Sequence, residues 1–219
     1  MRRAKEAMIR NIIFDVGRVL VEYDPFTYMK RRGYTDEEQE IIRKAVFQNP
    51  LWLTADRGPI ETAELINGFA ANAPGHEELI RDAYGHAEGT VWEMPYTMGW
   101  IKGLKKKGYK LYVLSNYAKD LFERTRDKMP FLPYMDGVVF SHECHLMKPE
   151  REIFQYLCDV YSLLPAESVF IDDSQENIEA ARNFGIHGIC FIGYEDAARQ
   201  LEELLELYDE DDRMVYCAE

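Results

Sequence analysis

A single acidic side chain at the end of an apolar run is the first candidate for chemistry in this sequence. Asp15 follows the apolar residues 12–14 in "IIFDVGRVL", and Gly17 comes two places later. A carboxylate that loses its hydration is strongly destabilised unless a cation or hydrogen bonds replace the water. We therefore expect Asp15 to contact a cation or to take part in a reaction. A polar turn at the end of a strand is the alternative.

Other polar residues follow later apolar runs in the same way. Ser115 and Asn116 follow "YKLYVL", Asp172 and Asp173 follow "SVFI", and Lys148 precedes a run with helical periodicity. Taken one at a time, such residues are typical of helix caps and exposed surfaces. In an open parallel sheet, however, ligands bind beyond the carboxyl ends of the strands. The repeated placement therefore predicts one shared site.

The residue types at this predicted site indicate phosphoryl transfer. Carboxylates of Asp15, Asp172 and Asp173 on one edge would repel one another unless a cation lay among them, and hard oxygen ligands suit Mg²⁺. Lys148 and Ser115, together with backbone N–H groups at the start of a helix, would bind an anion. A metal ion, an anion site and a reactive carboxylate together favour chemistry on a phosphoryl group.

The elements that must position these residues alternate along the chain after Pro95. Strand patterns alternate with helix patterns, which is typical of a parallel sheet with helices on both faces. The predicted strands are "YKLYVL", "GVVF", "SVFI" and "HGICF"; the predicted helices are "TMGWIKGLKKKG", "AKDLFERTRDKM", "PEREIFQYLCDVYSL", "QENIEAARNFG" and a last acidic helix that ends near Tyr208. The sequence thus predicts an α/β fold.

A stretch with only helical patterns separates the first strand from this alternating region. Thr35 and Glu38 form a T-x-x-E capping box before the amphipathic run "EIIRKAVF". Further helical patterns cover residues 60–71 and 77–87. We predict a core of residues 1–23 and 93–219 with an inserted helical cap of residues 24–92.

Composition narrows the classes of partner and location. The 219 residues are 47% hydrophobic, which suits a folded globular protein. The net charge of −13 argues against nucleic-acid binding, because phosphate backbones require clusters of Lys and Arg. No apolar run approaches the ~20 residues of a membrane span, and no apolar signal core follows the charged start. We expect a cytoplasmic protein with a small-molecule partner and no nucleic acid or membrane partner; its oligomeric state stays open.

Four motifs resemble those of the haloacid dehalogenase superfamily, in particular its phosphatases with a small helical cap. In order, they are "FDVGRVLVEYDP", "VLSN", "MKPEREIF" and "FIDDSQENIEAARNFGI". These motifs cover nearly the whole chain. The chain is similar to bacterial glucose-1-phosphate phosphatases and to the phosphatase domain of epoxide hydrolases. The resemblance implies a Rossmann-like, doubly wound parallel sheet with an inserted helical cap. It also implies Mg²⁺-dependent hydrolysis of a small phosphorylated metabolite.

The resemblance implies catalytic and phosphate-binding roles at matching positions. Asp15 would be the nucleophile that forms an aspartyl-phosphate. Ser115 and Lys148 would bind the phosphoryl oxygens, and Lys148 would also steady Asp15. Asn116, near the phosphate, and Asn177 would contribute supporting hydrogen bonds.

The resemblance also implies which groups would hold the Mg²⁺ ion. Asp15, Asp173 and the backbone carbonyl of Gly17 would be direct ligands. Asp172 would support the site or act through a water molecule.

Gly17 departs from the usual pattern of these phosphatases. Most of them have a second aspartate two places after the nucleophile, and its side chain acts as general acid and base. Gly17 keeps a carbonyl oxygen for the metal but has no side chain for proton transfer. Losing such a group typically lowers the rate ~10²–10⁴-fold, unless water or a cap residue substitutes. We expect a bias toward leaving groups that need little protonation, such as those of sugar 1-phosphates.

The predicted cap would close over the site, exclude water and set specificity. Within it, Arg57 of "ADRG" has two interpretations. It would either bind a substrate oxygen or pair with Asp56 on the exposed surface.

Two other functions stay open at this point. A metal-independent 2-haloacid dehalogenase also lacks the second aspartate, although Asp172 and Asp173 favour a metal. A non-catalytic phosphate-binding protein would explain Gly17 but not the retained Asp15.

Overall fold

The computed structural model describes residues 8–58 and 60–216, with side chains as far as residue 207. The strands are β1 (Asn11–Phe14), β2 (Val21–Tyr23), β3 (Val91–Glu93), β4 (Lys110–Ser115), β5 (Gly137–Phe140), β6 (Ser168–Asp172) and β7 (His187–Cys190). The helices are α1 (Pro25–Arg32), α2 (Asp36–Ile42), α3 (Pro50–Arg57), α4 (Thr62–Ala71), α5 (Glu77–Gly85), α6 (Thr97–Lys106), α7 (Lys119–Thr125), α8 (Ser141–Cys144), α9 (Arg151–Tyr161), α10 (Gln175–Phe184) and α11 (Tyr194–Tyr216).

The central sheet is parallel and has the strand order β5-β4-β1-β6-β7. In this order the chain winds outward from β1 in both directions, which confirms the predicted α/β, Rossmann-like fold. Phe14 at the end of β1 is in register with Val113 of β4 and Ile171 of β6. The carboxyl ends of these strands therefore lie side by side.

The short strand β1 is buried on both faces, which explains its unbroken apolar run. Ile12 and Phe14 pack into one hydrophobic cluster, and Ile13 packs into a second cluster on the opposite face of the sheet. Full burial of such a side chain stabilises the fold by about 1.5–3 kcal/mol. β1 is thus a rigid support for the residue that follows it.

The chain leaves the central sheet through β2 and returns to it through β3. These two strands pair antiparallel, with Val21 opposite Glu93 and Tyr23 opposite Val91. Helices α1 to α5 lie between them in the chain. Neither strand is predicted from the sequence, because three residues are too few to show an alternating pattern. The domain boundaries at residues 24 and 92 stay a prediction.

Helix boundaries agree with the sequence at one place and differ at another. The capping box is confirmed: the Glu38 N–H donates to Thr35 Oγ1 at 3.3 Å, and the Thr35 N–H donates to the Glu38 carboxylate at 2.8 Å. The predicted end of the last helix near Tyr208 is wrong, since α11 continues to Tyr216. No Gly or Pro interrupts residues 194–216, so nothing in the sequence stops the helix. Among the described residues, no helix is both long enough and apolar enough to cross a membrane.

Candidate active site

The sheet edge brings together residues that are far apart in the sequence. Asp15 follows β1, Ser115 ends β4 and Asp172 ends β6, and all three are buried. The Asp15 N–H donates to the Ile171 carbonyl at 2.9 Å, so the strand pairing extends as far as the carboxylate. The register of the sheet therefore places Asp172 level with Asp15, and Ser115 lies one residue further along β4 at the same edge.

Lys148 is the cation that the apolar surroundings of Asp15 predict. Its Nζ lies 2.8 Å from Asp15 Oδ1 and 2.6 Å from Asp172 Oδ2. Burial opposes the charge of Lys148, but the two carboxylates outweigh this effect and raise its pKa above the ordinary value. Lys148 therefore stays protonated and neutralises part of the negative charge at the sheet edge.

Asp172 is held in place by more than this ion pair. The backbone N–H of Ser174 donates to Oδ1 at 2.8 Å. The side-chain amide of Asn177 donates to both carboxylate oxygens, at 3.0 and 3.1 Å. These contacts support the predicted role of Asp172 as a support for the site, and they give Asn177 a specific part in it.

Asn116 fixes the backbone of Lys148. The Lys148 N–H donates to Asn116 Oδ1 at 2.9 Å, and Asn116 Nδ2 donates to the Lys148 carbonyl at 3.0 Å. Both ends of the amide group are thus engaged. Asn116 therefore helps to position Lys148, and its predicted contact with phosphate stays a prediction.

Three carboxylates form the candidate metal site. Among the described residues, Asp15, Asp172 and Asp173 have carboxylate oxygens within 4.8 Å of one another. Asp173 is half-buried, and burial followed by the Asp172 charge raises its pKa. Arg18 Nη1 lies 3.6 Å from its Oδ2. Clustered hard oxygen donors with excess negative charge fit Mg²⁺.

The pKa of Asp15 reflects a balance between burial and its neighbours. Burial destabilises the anion and is the main cause that raises the pKa to about 6. The Lys148 ammonium opposes this shift, and the Asp172 carboxylate adds to it. Asp15 is therefore mostly ionised above that pH.

Gly17 faces the same cavity as Asp15 and has room for a side chain. A Cβ built there would lie 3.9 Å from the Cβ of Tyr23, which is an ordinary contact. Its backbone is outside the left-handed region that favours glycine. The absence of a side chain at Gly17 is therefore not required by packing.

A cavity of about 170 Å³ opens beside Asp15, between the sheet edge and α3. This is close to the ~150 Å³ that accommodates a benzene ring in an engineered protein cavity. Its other walls are largely apolar or aromatic, formed by Val21, Tyr23, Trp52, Val91, Tyr117, Ala118 and Leu121. The cavity therefore has room for a small organic group beside Asp15.

Asp56 is a further residue of the site, which the sequence patterns did not predict. It lies near the end of α3 and lines the cavity with Asp15. Its carboxylate accepts a hydrogen bond from the backbone N–H of Ala118. Burial is the main cause that raises its pKa to about 7, and the Asp15 charge adds to the shift. The available signal was an acidic residue in an otherwise apolar helix.

The expected pairing of Arg57 with Asp56 is wrong. The Arg57 guanidinium contacts both carboxylate oxygens of Glu150, with Nη1 at 3.0 Å from Oε2 and Nη2 against Oε1. The Asp56 carboxylate lines the cavity instead, and the acidic partner of Arg57 is Glu150. Arg57 is about half exposed and is not among the residues that line the cavity, and its contact with a substrate oxygen stays a prediction.

Residues 9–185 match the haloacid dehalogenase-like hydrolases, and the chain belongs to this family. This match covers most of the chain and includes β1 to β6 and all the candidate residues of the sheet edge. The family predicted from the four motifs is therefore confirmed, and with it the classification as a hydrolase.

Several curated relatives are similar over most of the chain. D-ribitol-5-phosphate phosphatase of Bacteroides thetaiotaomicron is 24% identical over 188 residues, which cover 81% of this chain and 89% of the relative. Sesquiterpene phosphatase astK of Aspergillus oryzae is 24% identical over 197 residues, covering 88% and 95%. Drimenol cyclase drtB of Aspergillus calidoustus is 23% identical over 203 residues, but the chain spans 37% of its length.

Two solved structures show the same fold. A family member from Bacteroides thetaiotaomicron, in complex with magnesium and inorganic phosphate, has a TM-score of 0.66 at 24% identity and covers 83% of this chain and 93% of its own. L-2-haloacid dehalogenase from Xanthobacter autotrophicus, with chloropropionic acid covalently bound, has a TM-score of 0.62 at 20% identity and covers 90% and 83%. Likeness at this level of identity concerns the fold alone.

Proposed function

We propose that this protein is a Mg²⁺-dependent phosphatase that hydrolyses a small phosphorylated metabolite through an aspartyl-phosphate on Asp15. The observation that carries the proposal is the position of Lys148 between Asp15 and Asp172 at the wall of a cavity, next to a cluster of three carboxylates. Two relatives that are named phosphatases support it.

The carboxylates of Asp15 and Asp173 and the carbonyl oxygen of Gly17 would hold the Mg²⁺ ion. Asp172 would not be a direct ligand but would help to position the site, because Lys148 and Asn177 already contact the oxygens of Asp172. When bound, the ion neutralises phosphate charge and fixes the orientation of the phosphoryl oxygens. The related structure that holds magnesium with inorganic phosphate supports this assignment.

The residues of the chain divide the reaction between them. An oxygen of Asp15 attacks phosphorus while the bond from phosphorus to the ester oxygen breaks, which leaves an aspartyl-phosphate. Lys148 and the Ser115 hydroxyl bind the phosphoryl oxygens and stabilise the charge that develops there. Water then attacks phosphorus, the bond to Asp15 breaks, and phosphate leaves.

The proposed substrate is a small phosphate monoester such as a sugar phosphate. The cavity of about 170 Å³ supports a small leaving group. A relative named as acting on a polyol phosphate supports a related substrate class. Because the anomeric oxygen of a sugar 1-phosphate leaves more readily than the oxygen of a primary alcohol, a sugar 1-phosphate would be hydrolysed faster than a sugar 6-phosphate.

The test is phosphate release from p-nitrophenyl phosphate, glucose 1-phosphate and glucose 6-phosphate, with Mg²⁺ or with EDTA. We expect Asp15→Asn to lower turnover by about 10³-fold or more, and EDTA to abolish it. Glu64→Gln, an exposed carboxylate change on α4, is the matched control and should behave as the native protein. Full activity in EDTA or in Asp15→Asn would contradict the proposal. Halide release from 2-haloacids in EDTA would establish the dehalogenase alternative, and equal turnover of the two glucose phosphates would remove the substrate preference.

A further inference from the structure

The leaving oxygen of a phosphate monoester needs a proton, and the cavity contains few groups that could donate one. Among the described residues that line it, the titratable side chains are Asp15, Tyr23, Asp56 and Tyr117. Asp15 is committed to attack on phosphorus. Burial raises the pKa of both tyrosines well above their ordinary value, so both are very weak acids. Asp56 is the remaining candidate.

We infer that Asp56, carried by the cap helix α3, performs the proton transfers for which Gly17 has no side chain. Asp56 and Gly17 line the same cavity as the nucleophile Asp15, although they come from different parts of the chain. The inference rests on the proposed phosphatase function and adds a second catalytic residue to it.

Asp56 is attached to the core at two points. Its backbone carbonyl accepts a hydrogen bond from the Ser141 hydroxyl, which follows β5. Its carboxylate accepts a hydrogen bond from the Ala118 N–H, between β4 and α7. Both partners belong to the sheet side of the cavity, so the carboxylate has a fixed position relative to Asp15 even though α3 belongs to the inserted helices.

The next two residues of the chain fasten the end of α3 to the core as well. Arg57 pairs with Glu150 beside α9. Gly58 adopts φ +153°, and a Cβ there would lie 2.2 Å from Nδ1 of His145. Only glycine permits this close approach. The end of α3 therefore packs closely against the core, and in this position the Asp56 side chain faces the cavity.

The electrostatic surroundings keep a proton available on Asp56 near neutral pH. Burial raises its pKa to about 7, and Asp15 adds to the shift, while the Ala118 N–H and Lys148 oppose it. Tyr23 and Tyr117 face it as neutral groups. A carboxyl group with a pKa near the working pH can both donate and accept a proton, which suits a general acid and base.

Asp56 regains its proton after the two steps, which are formation and hydrolysis of the aspartyl-phosphate. In the first step, protonated Asp56 gives its proton to the ester oxygen while Asp15 bonds to phosphorus, so an alcohol leaves and Asp56 becomes a carboxylate. In the second step, the Asp56 carboxylate takes a proton from the water molecule that attacks phosphorus. Asp15 is released as a carboxylate, phosphate leaves, and Asp56 is protonated again.

The test compares Asp56→Asn with the native protein on p-nitrophenyl, phenyl and benzyl phosphate. These substrates have similar size, but their leaving groups become steadily less acidic in that order. We expect kcat/KM of Asp56→Asn to fall only a few-fold for p-nitrophenyl phosphate, which needs little protonation, and about 10²-fold for benzyl phosphate. For the native protein on benzyl phosphate, kcat/KM should decline above pH about 7 as Asp56 loses its proton, and this decline should be absent in Asp56→Asn.

Glu64→Gln is again the matched control, and it should leave all three values unchanged. An equal loss of kcat/KM for the three substrates would mean that Asp56 only shapes the site, and it would overturn the inference. Unchanged values would overturn it as well. If the native protein itself released no phosphate, the proposed function would fail, which is a separate result from a failure of Asp56 alone.

Discussion

The sheet edge and the end of α3 line the same cavity, but different forces hold them. Asp15 and Asp172 are positioned by the register of buried parallel strands and by a buried ion pair with Lys148. Asp56 depends on contacts between a helix and the core, one of them the half-exposed pair of Arg57 with Glu150. In the proposed mechanism, attack on phosphorus therefore belongs to the rigid part of the fold, whereas proton transfer belongs to a docked helix.

The largest expected effect follows from removal of the cation at the sheet edge. Lys148→Met would leave Asp15 and Asp172 as neighbouring buried carboxylates without a counter-ion. We expect the free energy of unfolding to fall by about 3–5 kcal/mol and phosphate release to fall by about 10³-fold. Chemical denaturation and the phosphate assay measure these changes. Lys119→Met, at an exposed lysine of α7, is the control, and an equal loss of stability in both variants would contradict the role of the buried pair.

A second change moves the proton donor from the helix to the sheet edge. Gly17→Asp introduces a carboxylate where the cavity has room for it. When Gly17→Asp is added to the Asp56→Asn variant, kcat/KM for benzyl phosphate should rise about 10-fold above that of Asp56→Asn alone, because a general acid is again present. Gly17→Asn in the same background is the matched control, since it has the same shape but no acid. Equal recovery by both would show that the side chain acts through packing.

A smaller effect is expected from loss of the hydrogen bonds that hold Asp172 beside the candidate metal site. Asn177→Ala removes two hydrogen bonds to Asp172. We expect the Mg²⁺ concentration for half-maximal activity to rise by about 10-fold, because groups behind metal ligands typically affect affinity on that scale. Gln175→Ala, an exposed change on the same helix, should leave this concentration unchanged. A lower kcat with an unaltered Mg²⁺ requirement would contradict the assignment.

The smallest effect is expected at the exposed contact that holds the end of α3. Arg57→Ala breaks the pair with Glu150, which contributes about 0.2–1 kcal/mol at most to stability. We expect kcat/KM for benzyl phosphate to fall about 3-fold, because Asp56 is held less firmly, with little change for p-nitrophenyl phosphate. Arg43→Ala removes a comparable exposed pair with Glu40 and serves as control. A large loss for every substrate would indicate that Arg57 binds phosphate after all.

The difference between residues placed by strand register and a residue placed by helix packing also explains which site residues could be predicted from the sequence. Asp15, Ser115 and Asp172 end apolar strands, and parallel strands of one sheet end at a common edge, so local pattern and one topological rule bring them together. Lys148, which precedes a helical run, belongs to the same predicted set, and the resemblance to the family adds its role beside Asp15.

The position of Asp56 could not be read in this way. Its direction depends on how α3 meets the core, through contacts such as that of Arg57 with Glu150, which are 93 residues apart. A helical pattern predicts which face of a helix is apolar, but it does not predict which distant loop that helix will contact. The short pairing of β2 with β3, on either side of helices α1 to α5 in the chain, cannot be recognised from local patterns either.

The most direct test of the whole account is the time course of p-nitrophenol release by Asp56→Asn. Because this leaving group needs no acid, Asp15 should still be phosphorylated, but the water step should be slow without the Asp56 base. We expect a rapid burst of about one p-nitrophenol per chain, followed by a slow phase, and no burst when Asp15→Asn is added. Release that is linear from the start, at the rate of the native protein, would contradict it.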